Sequence, residues 1–440
     1  MKVIYYIGDF KAGLMDAQCQ LVLGNSKILR ELGYQVVLIG NDPSLAHELD
    51  AVKSLRKIDG FDCYNIRFSK SLRGFLKSSF IHKQLLEIFN LYSKPEMIIC
   101  YGSLAFAIEN YKIGKWCKKN KVLIVSNCVD LSSHAHGTII ERIVKSLDSK
   151  LKHRFNYKKT DGIIAVSEYI EAHFNRNKDK STVIVPPLKD TSKFVEPVIN
   201  QENHKVLVYI GVPFPVDGRS VDESAYKDRI DIFIDLLCKI RGQIPAFRFD
   251  IYGLTKEQYL HVVYRQAQLI EKNNDIIKFH GRIEHEHALE VVRQADFSVL
   301  YRTRNQMTMA GFSSKLVESI SIGTPMILTD TSDYHRYLED GETCFFLDDH
   351  LNETCIHSLV NALSISKDDI FKMKMNCYHS KIFDFGYMEL YLMLLPHKKI
   401  ICYFICSNII IHQIAIVIKW FYSDFLFGFG VFFKQFLMSF

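Results

Sequence analysis

The chain has 440 residues, of which 48% are hydrophobic and 24% are charged, and its formal net charge is +6. This composition is typical of a globular protein with large cores, and the length predicts two or more domains. The lysines and arginines are spread along the whole chain. This favours anionic ligands or an anionic membrane surface, and it argues against the concentrated basic patch of a nucleic-acid-binding protein.

The 11 cysteines are widely scattered, and only Cys402 and Cys406 approach a zinc-type spacing. We therefore predict reduced cysteines in the core, no metal site and a cytoplasmic protein. The opening residues, MKVIYYIGDF, lack the long apolar region of a signal peptide, which agrees with a protein that is not secreted.

The first half of the chain alternates buried strands with amphipathic helices. Residues 2–8 and 34–40 are predicted strands, and 16–32 is a predicted helix that ends at Gly33. Further strands are predicted at 97–101, 122–126, 163–166 and 183–185, with helices over 104–118 and from about residue 139. Near-continuous hydrophobic strands are typical of parallel strands that are covered on both faces.

The pattern restarts after a polar, aperiodic segment, residues 189–204, which indicates a linker. KVLVYIG at 205–211 is similar to the opening KVIYYIG, and 229–239 is a predicted amphipathic helix. Further strands are predicted at 247–252, 276–279, 297–301 and 326–328.

We therefore predict an α/β fold with two tandem, doubly wound parallel-sheet domains that face each other across a cleft. The predicted boundaries are 1–190 for the first domain, 191–204 for the linker, 205–385 for the second domain and 386–440 for a hydrophobic tail. Ligands of open α/β sheets bind at the carboxyl ends of the strands, so the cleft is the expected binding site.

The tail has a different character from the two domains. Residues 400–418 carry no charge but are interrupted by polar residues, and lysines lie on both sides, so no orientation is indicated. One interpretation is a marginal membrane span or an interfacial helix. The other is out-of-frame or run-on translation with no folded role, and the sequence leaves both open.

Residues 296–330 predict a strand, a glycine-containing turn, a helix that ends at Gly323, and a second strand. Ser313 or Ser314 would cap this helix, and the free backbone N–H groups at its start suit an anion. Glu318 lies just over one turn further along. A phosphate at the turn and hydroxyls near Glu318 would together describe a nucleotide sugar, and the alternative is an ordinary structural unit with a solvated glutamate.

Metal-free stabilisation of a leaving diphosphate needs a cation as well as a helix N-terminus. Lys227, at the start of the helix over 229–239, is the candidate, with Arg219 or Arg229 as a second cation. By residue type alone, all three are more simply explained as exposed surface cations.

The sequence GFSSKLVESISIGTPMI at 311–327 resembles the donor-binding segment of retaining GT-B glycosyltransferases, the group 1 family that includes many bacterial polysaccharide-assembly enzymes. The residues that match the family pattern are Phe312, Glu318, Gly323, Pro325 and Ile327. Weaker resemblances lie at 25–40, 227–229, 281–283 and 295–302, so the resemblance covers about residues 1–385.

The resemblance implies an enzyme that transfers a sugar, with retention, from a UDP- or GDP-type nucleotide sugar to a hydroxyl of a saccharide or lipid-linked acceptor. It further implies biosynthesis of cell-surface polysaccharide such as capsule, O-antigen or exopolysaccharide. The expected location is the cytoplasm, at the inner face of the membrane with peripheral or tail-mediated contact, and no metal or other cofactor is expected.

The resemblance also assigns roles to residues. The candidate catalytic residues are Lys227, Asp130 and His134. The candidate donor-binding residues are Gly311, Phe312, Ser313, Ser314, Glu318, Arg219, Arg229 and Arg282, and Gly8 and Gly13 are expected in a loop near the diphosphate. Glu318 would accept hydrogen bonds from the ribose hydroxyls.

The chain departs from the family pattern at two positions. Ala310 stands where the family has a glutamate that contacts the donor sugar, and Ser313 stands where it has a glycine. Two alternatives therefore stay open: a catalytically impaired partner subunit that only binds nucleotide sugars, and a GT-B sugar-nucleotide epimerase that needs no acceptor. The chain has no G-x-G-x-x-G, Walker A or G-x-S-x-G motif, which argues against nicotinamide, ATP-driven and nucleophile-elbow chemistry.

Overall fold

The structure, a computed structural model, describes the chain in nine pieces. They are residues 2–12, 16–45, 50–66, 81–102, 107–131, 139–152, 154, 157–217 and 221–386. Within them the chain forms two α/β domains, and each domain is built around one sheet.

The first domain alternates strands and helices. Its strands are β1 (Lys2–Gly8), β2 (Tyr34–Gly40), β3 (Arg56–Ile58), β4 (Phe61–Asn65), β5 (Met97–Tyr101), β6 (Leu123–Cys128), β7 (Gly162–Ala165) and β8 (Ser181–Ile184). Its helices are α1 (Ala17–Glu31), α2 (Ile81–Phe89), α3 (Ala107–Asn120), α4 (Ile139–Lys152) and α5 (Glu168–Phe174).

The strand order of this sheet is β3-β4-β2-β1-β5-β6-β7-β8, and only β3 runs antiparallel to its neighbour. The order reverses between β1 and β5, which pair in register from Ile4 opposite Met97 to Gly8 opposite Tyr101. Buried apolar residues cover both faces of the sheet, as the continuous hydrophobic strands predict. The carboxyl end of β1 therefore opens at the point where α/β domains bind ligands.

The second domain repeats the design with a sheet that is parallel throughout. Its strands are β9 (Lys205–Ile210), β10 (Phe247–Tyr252), β11 (Ile277–Gly281), β12 (Phe297–Leu300), β13 (Met326–Thr329) and β14 (Cys344–Leu347). Its helices are α6 (Ile230–Ile240), α7 (Lys256–Val262), α8 (Ala267–Lys272), α9 (His285–Gln294), α10 (Gln306–Ala310), α11 (Ser314–Ser321), α12 (Glu353–Ser364) and α13 (Lys367–Ser380).

The strand order here is β11-β10-β9-β12-β13-β14, so the winding reverses between β9 and β12. The amphipathic helix α6 buries Phe233, Ile234 and Leu237 against one face of the sheet. Helix α11 buries Leu316, Val317 and Ile320 against the other face. These two helices start at the carboxyl ends of the central strands, which places both of their N-termini at the same edge.

The chain passes between the two domains twice, in adjacent places. The backbone N–H of Lys189 donates to Phe383 O at 2.9 Å, and Phe385 N–H donates back to Lys189 O at 3.3 Å. Thr191 donates from its N–H and its hydroxyl to the Asp384 carboxylate, at 3.0 and 2.6 Å. The outgoing and returning segments are thus tied together at one junction.

The prediction of two tandem parallel-sheet domains is confirmed. The strands predicted at 2–8, 34–40, 97–101 and 247–252 are observed with those bounds. The antiparallel strand β3, its partner β4, and β14 were not predicted from the sequence.

The domain boundaries stay a prediction, and both interpretations of the tail concern residues beyond 386, outside the described residues. In the described part of the chain, no helix combines the length and hydropathy that a membrane crossing requires. The nine cysteines of that part are free thiols, and eight of them are buried.

Candidate active site

The cleft between the domains lies at the carboxyl ends of strands of both sheets. Asp130 follows β6 on the first domain, while Gly211 follows β9 and Arg302 follows β12 on the second. The Asp130 carboxylate is exposed, and its charge acts on the ammonium group of Lys227 in the opposite domain. The two domains therefore bring groups of opposite charge together across the cleft.

A buried group of charged and phenolic side chains lies on the second-domain side of this cleft. It consists of Asp228, Arg302, Lys315, Tyr209 and Tyr334, and we refer to it as the Asp228 cluster. Arg302 Nε donates to Asp228 Oδ1 at 2.7 Å, and Tyr209 OH donates to Asp228 Oδ2 at 2.8 Å. Lys315 Nζ forms an ion pair with the same Oδ2, and Arg302 Nη1 donates to Tyr334 OH at 3.2 Å.

The Asp228 carboxylate is only 2% exposed, yet it stays ionised. Burial alone would raise its pKa, but the charges and hydrogen bonds of Lys315 and Arg302 outweigh burial and hold the pKa far below its ordinary value. Removal of this carboxylate would leave two cations without their partner inside the protein.

Backbone contacts fix the cluster in place. Arg229 N–H, at the start of α6, donates to Tyr301 O at 2.7 Å, which holds Asp228 beside the end of β12. Arg302 N–H donates to Thr329 Oγ1 at 2.8 Å. Lys315, the second residue of α11, reaches back to Gly211, where a Cβ would lie 2.4 Å from Nζ. The φ of Gly211 is +149°, so the backbone favours glycine here, and a Cβ would displace the end of the flexible Lys315 side chain.

The cleft side of this site carries an excess of positive charge. Arg302, Lys315 and Lys227 are three cations, and Asp228 is the one carboxylate among them, so two positive charges are in surplus. The exposed Asp130 across the cleft offsets part of this surplus. The Lys315 side chain is 27% exposed and Lys227 is exposed, so an anion in the cleft can reach both. A ligand with two or more negative charges would complete the balance.

Helix α11 adds its N-terminus to the same site. Ser313 is the N-cap residue, but its side chain makes no capping hydrogen bond. The first-turn N–H groups have no partner within the helix and carry the positive end of its dipole. Burial raises the pKa of Tyr334, and the Arg302 charge acts against burial. Lys315 belongs both to the first turn of α11 and to the Asp228 cluster. The helix start and the Asp228 cluster are therefore one continuous site.

Glu318 lies just over one turn into α11 and is not a solvated residue. Its Oε1 accepts a hydrogen bond from Lys189 Nζ at 2.6 Å, and the two side chains are 24% and 13% exposed. Lys189 Nζ also donates to Gln20 Oε1 on α1. A chain of contacts thus runs from the first domain through Lys189 to the helix that starts at the Asp228 cluster.

Two residues of the donor-binding segment face the interior instead of the cleft. Ala310 is fully buried against the core of the first domain, and its carbonyl accepts from Ser167 Oγ at 2.9 Å. The Phe312 ring packs edge-on against Tyr334 and Tyr337, with centroids 5.2 and 5.5 Å apart. In this arrangement Phe312 supports the second-domain core and the domain interface.

Other candidate residues are not brought into the cluster. The Arg229 guanidinium bonds Asp231 at 2.9 Å and Glu223 at 3.2 Å, and these contacts lie outside the Asp228 cluster. Arg282 is exposed after β11, at the edge of the sheet.

The two glycines of the described candidate set have ordinary roles. At Gly8 the close approach is to a neighbouring strand, because a Cβ would lie 2.5 Å from Tyr101 Cβ. Gly311 ends α10 with φ −87°, which other residues adopt freely.

Three candidate residues, Gly13, His134 and Arg219, lie outside the described residues. Within the described ranges, no group of three or more His, Cys, Asp or Glu side chains could hold a metal ion. The sequence reasoning missed Lys315, Asp228 and Lys189. A lysine at the second position of a helix that is predicted to bind an anion was the one local signal for Lys315.

Residues 220–378 match the family model described as "Glycosyl transferases group 1", a range that contains the Asp228 cluster apart from Tyr209, together with Glu318. No curated protein has a significantly similar sequence.

Solved structures share the fold of almost the whole chain. HepE from Anabaena in complex with UDP is 15% identical, with a TM-score of 0.58 over 89% of this chain and 98% of that one. Sucrose-phosphate synthase from Thermosynechococcus elongatus is 13% identical, with a TM-score of 0.57 over 89% and 97%. The catalytic domain of starch synthase IV from Arabidopsis thaliana, bound to ADP and acarbose, is 11% identical, with a TM-score of 0.60 over 89% and 98%. The shared two-domain architecture is the GT-B fold.

Proposed function

We propose that this GT-B glycosyltransferase, with its group 1 family domain at 220–378, transfers a sugar from a nucleoside-diphosphate donor to a hydroxyl acceptor with retention of configuration. The observation that carries the proposal is the surplus of two positive charges beside the N-terminus of α11. A diphosphate has the charge and the size to satisfy both features at once.

Transfer breaks the bond between the sugar's anomeric carbon and the diphosphate oxygen, and the electron pair of that bond stays on the leaving diphosphate. The acceptor oxygen forms the new bond to the anomeric carbon, and the hydroxyl proton passes to the diphosphate. Lys227, Lys315 and the N–H groups at the start of α11 lie where this charge develops, so they stabilise the transition state more than the bound donor. Arg302 and Asp228 hold Lys315 in position. The acceptor hydroxyl enters from the first domain, on the side of the exposed Asp130.

Glu318 is the proposed acceptor for the ribose hydroxyls of the donor, because a carboxylate offers paired acceptor oxygens to vicinal hydroxyls. Ala310 offers no side-chain hydrogen bond, so the donor sugar is contacted by other groups. UDP donors are the first choice because HepE from Anabaena binds UDP, and ADP and GDP donors complete the panel.

The biological setting that we propose is polysaccharide biosynthesis at the cytoplasmic face of a membrane, with a saccharide or lipid-linked acceptor and no metal or other cofactor. The sequence resemblance to bacterial polysaccharide-assembly enzymes and the hydrophobic composition of 400–418 support it.

The test is a thermal-shift screen of the purified chain against UDP-, GDP- and ADP-sugars, followed by transfer assays, since a ligand that binds the native state raises its stability. We expect transfer that depends on the donor. NMR of the product should show the anomeric configuration of the donor. Donor binding without turnover would support the partner-subunit alternative, and conversion of the donor sugar without an acceptor would support the epimerase. An inverted product would contradict the proposed retention.

Glu318→Ala is expected to weaken nucleotide-donor binding about tenfold or more, because a hydrogen bond to a charged group contributes about 1.5–3 kcal/mol. Isothermal titration of the donor measures the loss, and circular dichroism checks that the fold is intact. Glu286→Ala, at an exposed glutamate on α9, is the matched control and should bind as the wild type does. Unchanged donor binding in Glu318→Ala would remove the ribose role.

The affinity for a nucleoside diphosphate is expected to fall as the pH rises, beginning below the ordinary lysine pKa of 10.5. Burial lowers the pKa of Lys315, and shielding of the Lys227 ammonium end together with the Arg302 charge lowers the pKa of Lys227. Both lysines therefore lose their charge at a lower pH than an exposed lysine, while Arg302 stays charged. The dissociation constant of ADP measured from pH 7 to 10 checks this, because adenine does not ionise in that range, and adenosine should show no such fall.

A further inference from the structure

Lys189 occupies a place that neither the family segment nor the Asp228 cluster explains. It belongs to the polypeptide that leaves the first domain after β8, 129 positions away from Glu318 in sequence. Its ammonium is nevertheless 2.6 Å from Glu318 Oε1, and its side chain is only 13% exposed. Through this contact, the segment that connects the two domains is linked to helix α11 of the candidate site.

The backbone of Lys189 is held on both sides. Its N–H donates to Phe383 O, and its carbonyl accepts from Phe385 N–H, so the returning segment of the chain fixes it. Its ammonium has a second acceptor, Gln20 Oε1, on α1 of the first domain. Lys189 therefore occupies a defined position relative to the first domain and contacts the second domain through Glu318.

The ion pair leaves most of the acceptor capacity of Glu318 in place. An ionised carboxylate has about four lone-pair sites, and Lys189 takes one of them on Oε1. The remaining sites on both oxygens suffice for two vicinal hydroxyls. A charge-assisted contact also restricts the side-chain rotamer, so the acceptor is oriented before any ligand arrives.

We propose that Lys189 is a positioning residue that orients the Glu318 carboxylate for the ribose hydroxyls, and that it thereby makes the site selective for ribonucleotides. This inference rests on the proposed function, because it assumes a nucleotide donor. Lys189 acts through Glu318 and touches no substrate atom. The Lys189 backbone is anchored at the junction of the two domains. The selectivity for ribonucleotides therefore depends on the observed docking of the two domains.

The experiment compares the affinities of a nucleoside diphosphate and its 2′,3′-dideoxy counterpart by isothermal titration. The probe is whichever of UDP, GDP and ADP gives the largest thermal shift with the wild-type chain. The variants are Lys189→Met, which removes the charge at similar length, and Lys189→Arg, which keeps it. Lys193→Met, at an exposed lysine of the same connecting segment, is the matched control, and Glu318→Gln is the reference for loss of the acceptor.

The wild type is expected to prefer the ribonucleotide about tenfold or more, since the hydroxyls bond a charged group. In Lys189→Met this ratio should fall to within about threefold, with the dideoxy affinity unchanged, while Lys189→Arg and Lys193→Met keep the wild-type ratio. A merely structural role would lower both affinities together and leave the ratio as it is, and that result would overturn the inference.

The outcomes also separate this inference from the proposed function. If the preference for the ribonucleotide over its dideoxy counterpart is lost in Glu318→Gln but kept in Lys189→Met, only the positioning role of Lys189 is rejected. If none of the three nucleoside diphosphates binds the wild type, the proposed function itself fails. Should Lys189→Met not fold, Lys189→Gln, which is uncharged but polar, takes its place under the same criteria.

Discussion

Lys227→Ala is expected to lower kcat/KM for the donor about 10²- to 10³-fold, the loss typical of removing one preorganised group that stabilises developing negative charge. Lys227 lies near the charges of Arg302 and Asp130, and its backbone N–H donates to Pro213 O at 3.0 Å, a contact that alanine keeps. Its side chain is exposed, so the free energy of unfolding should change by less than about 0.5 kcal/mol. Initial rates at several donor concentrations, together with a thermal melt, measure both quantities.

The matched control is Lys239→Ala, at an exposed lysine in the last turn of α6, the helix that Lys227 precedes. It removes the same charge from the same element but lies at the opposite end, away from the cleft. We expect Lys239→Ala to react at the wild-type rate and only Lys227→Ala to show a large loss of rate. Similar small effects in both variants would mean that Lys227 is an ordinary surface lysine.

Asp228→Ala is expected to destabilise the protein by about 3–5 kcal/mol, because it leaves buried cations without their carboxylate. Arg302 and Lys315 both depend on Asp228, and the carboxylate is 2% exposed. Added pyrophosphate should restore more stability to this variant than to the wild type, since a bound anion replaces the missing charge. Thermal unfolding with and without pyrophosphate measures both effects.

The control for Asp228→Ala is Asp275→Ala, which removes an aspartate from the exposed ion pair with Arg241. Exposed pairs contribute under about 1 kcal/mol, so the unfolding midpoint should hardly move, and pyrophosphate should act as on the wild type. A small stability loss in Asp228→Ala, or a pyrophosphate response equal to that of the control, would argue against the cluster as an anion site.

Much of the fold could be predicted because buried parallel strands leave a strong local signal. The run at 2–8 is apolar after Lys2, and the run at 247–252 alternates apolar residues with Arg248 and Asp250. Glycine marks the end of both runs, and the observed strands have those bounds. The β3–β4 hairpin was missed although Asp59-Gly60 between its strands is a strong hairpin signal, with φ of 49° and 82°. Its strands are short and half polar at the edge of the sheet, so hydrophobicity alone does not reveal them.

The candidate site was predictable only in its local parts. The start of α11, Glu318 and Lys227 belong to short patterns whose chemistry can be read along the chain. The pairing of Lys315 with Asp228 spans 87 positions, and that of Lys189 with Glu318 spans 129. Such contacts are set by how the strands are ordered and how the domains dock, and no spacing rule encodes them.

The structure also shows what surrounds Ala310, which stands where the family has a glutamate. Ala310 is fully buried where α10 meets α5, with its carbonyl on Ser167. A glutamate side chain at this position would need either to displace the first-domain contact or to bury its charge, and both are costly. Ala310 is therefore compatible with closely docked domains, and the proposed donor sugar would be contacted without that carboxylate.

The surplus positive charge of the cleft bears on how the enzyme responds to its own product. A nucleoside diphosphate released after transfer ends in a phosphate monoester, whose second ionisation near pH 6 gives it about one more negative charge than the donor. Cations that are not fully neutralised attract the more highly charged species more strongly. For the proposed reaction, we therefore expect the spent nucleotide to compete with fresh donor for the site and to inhibit sugar transfer.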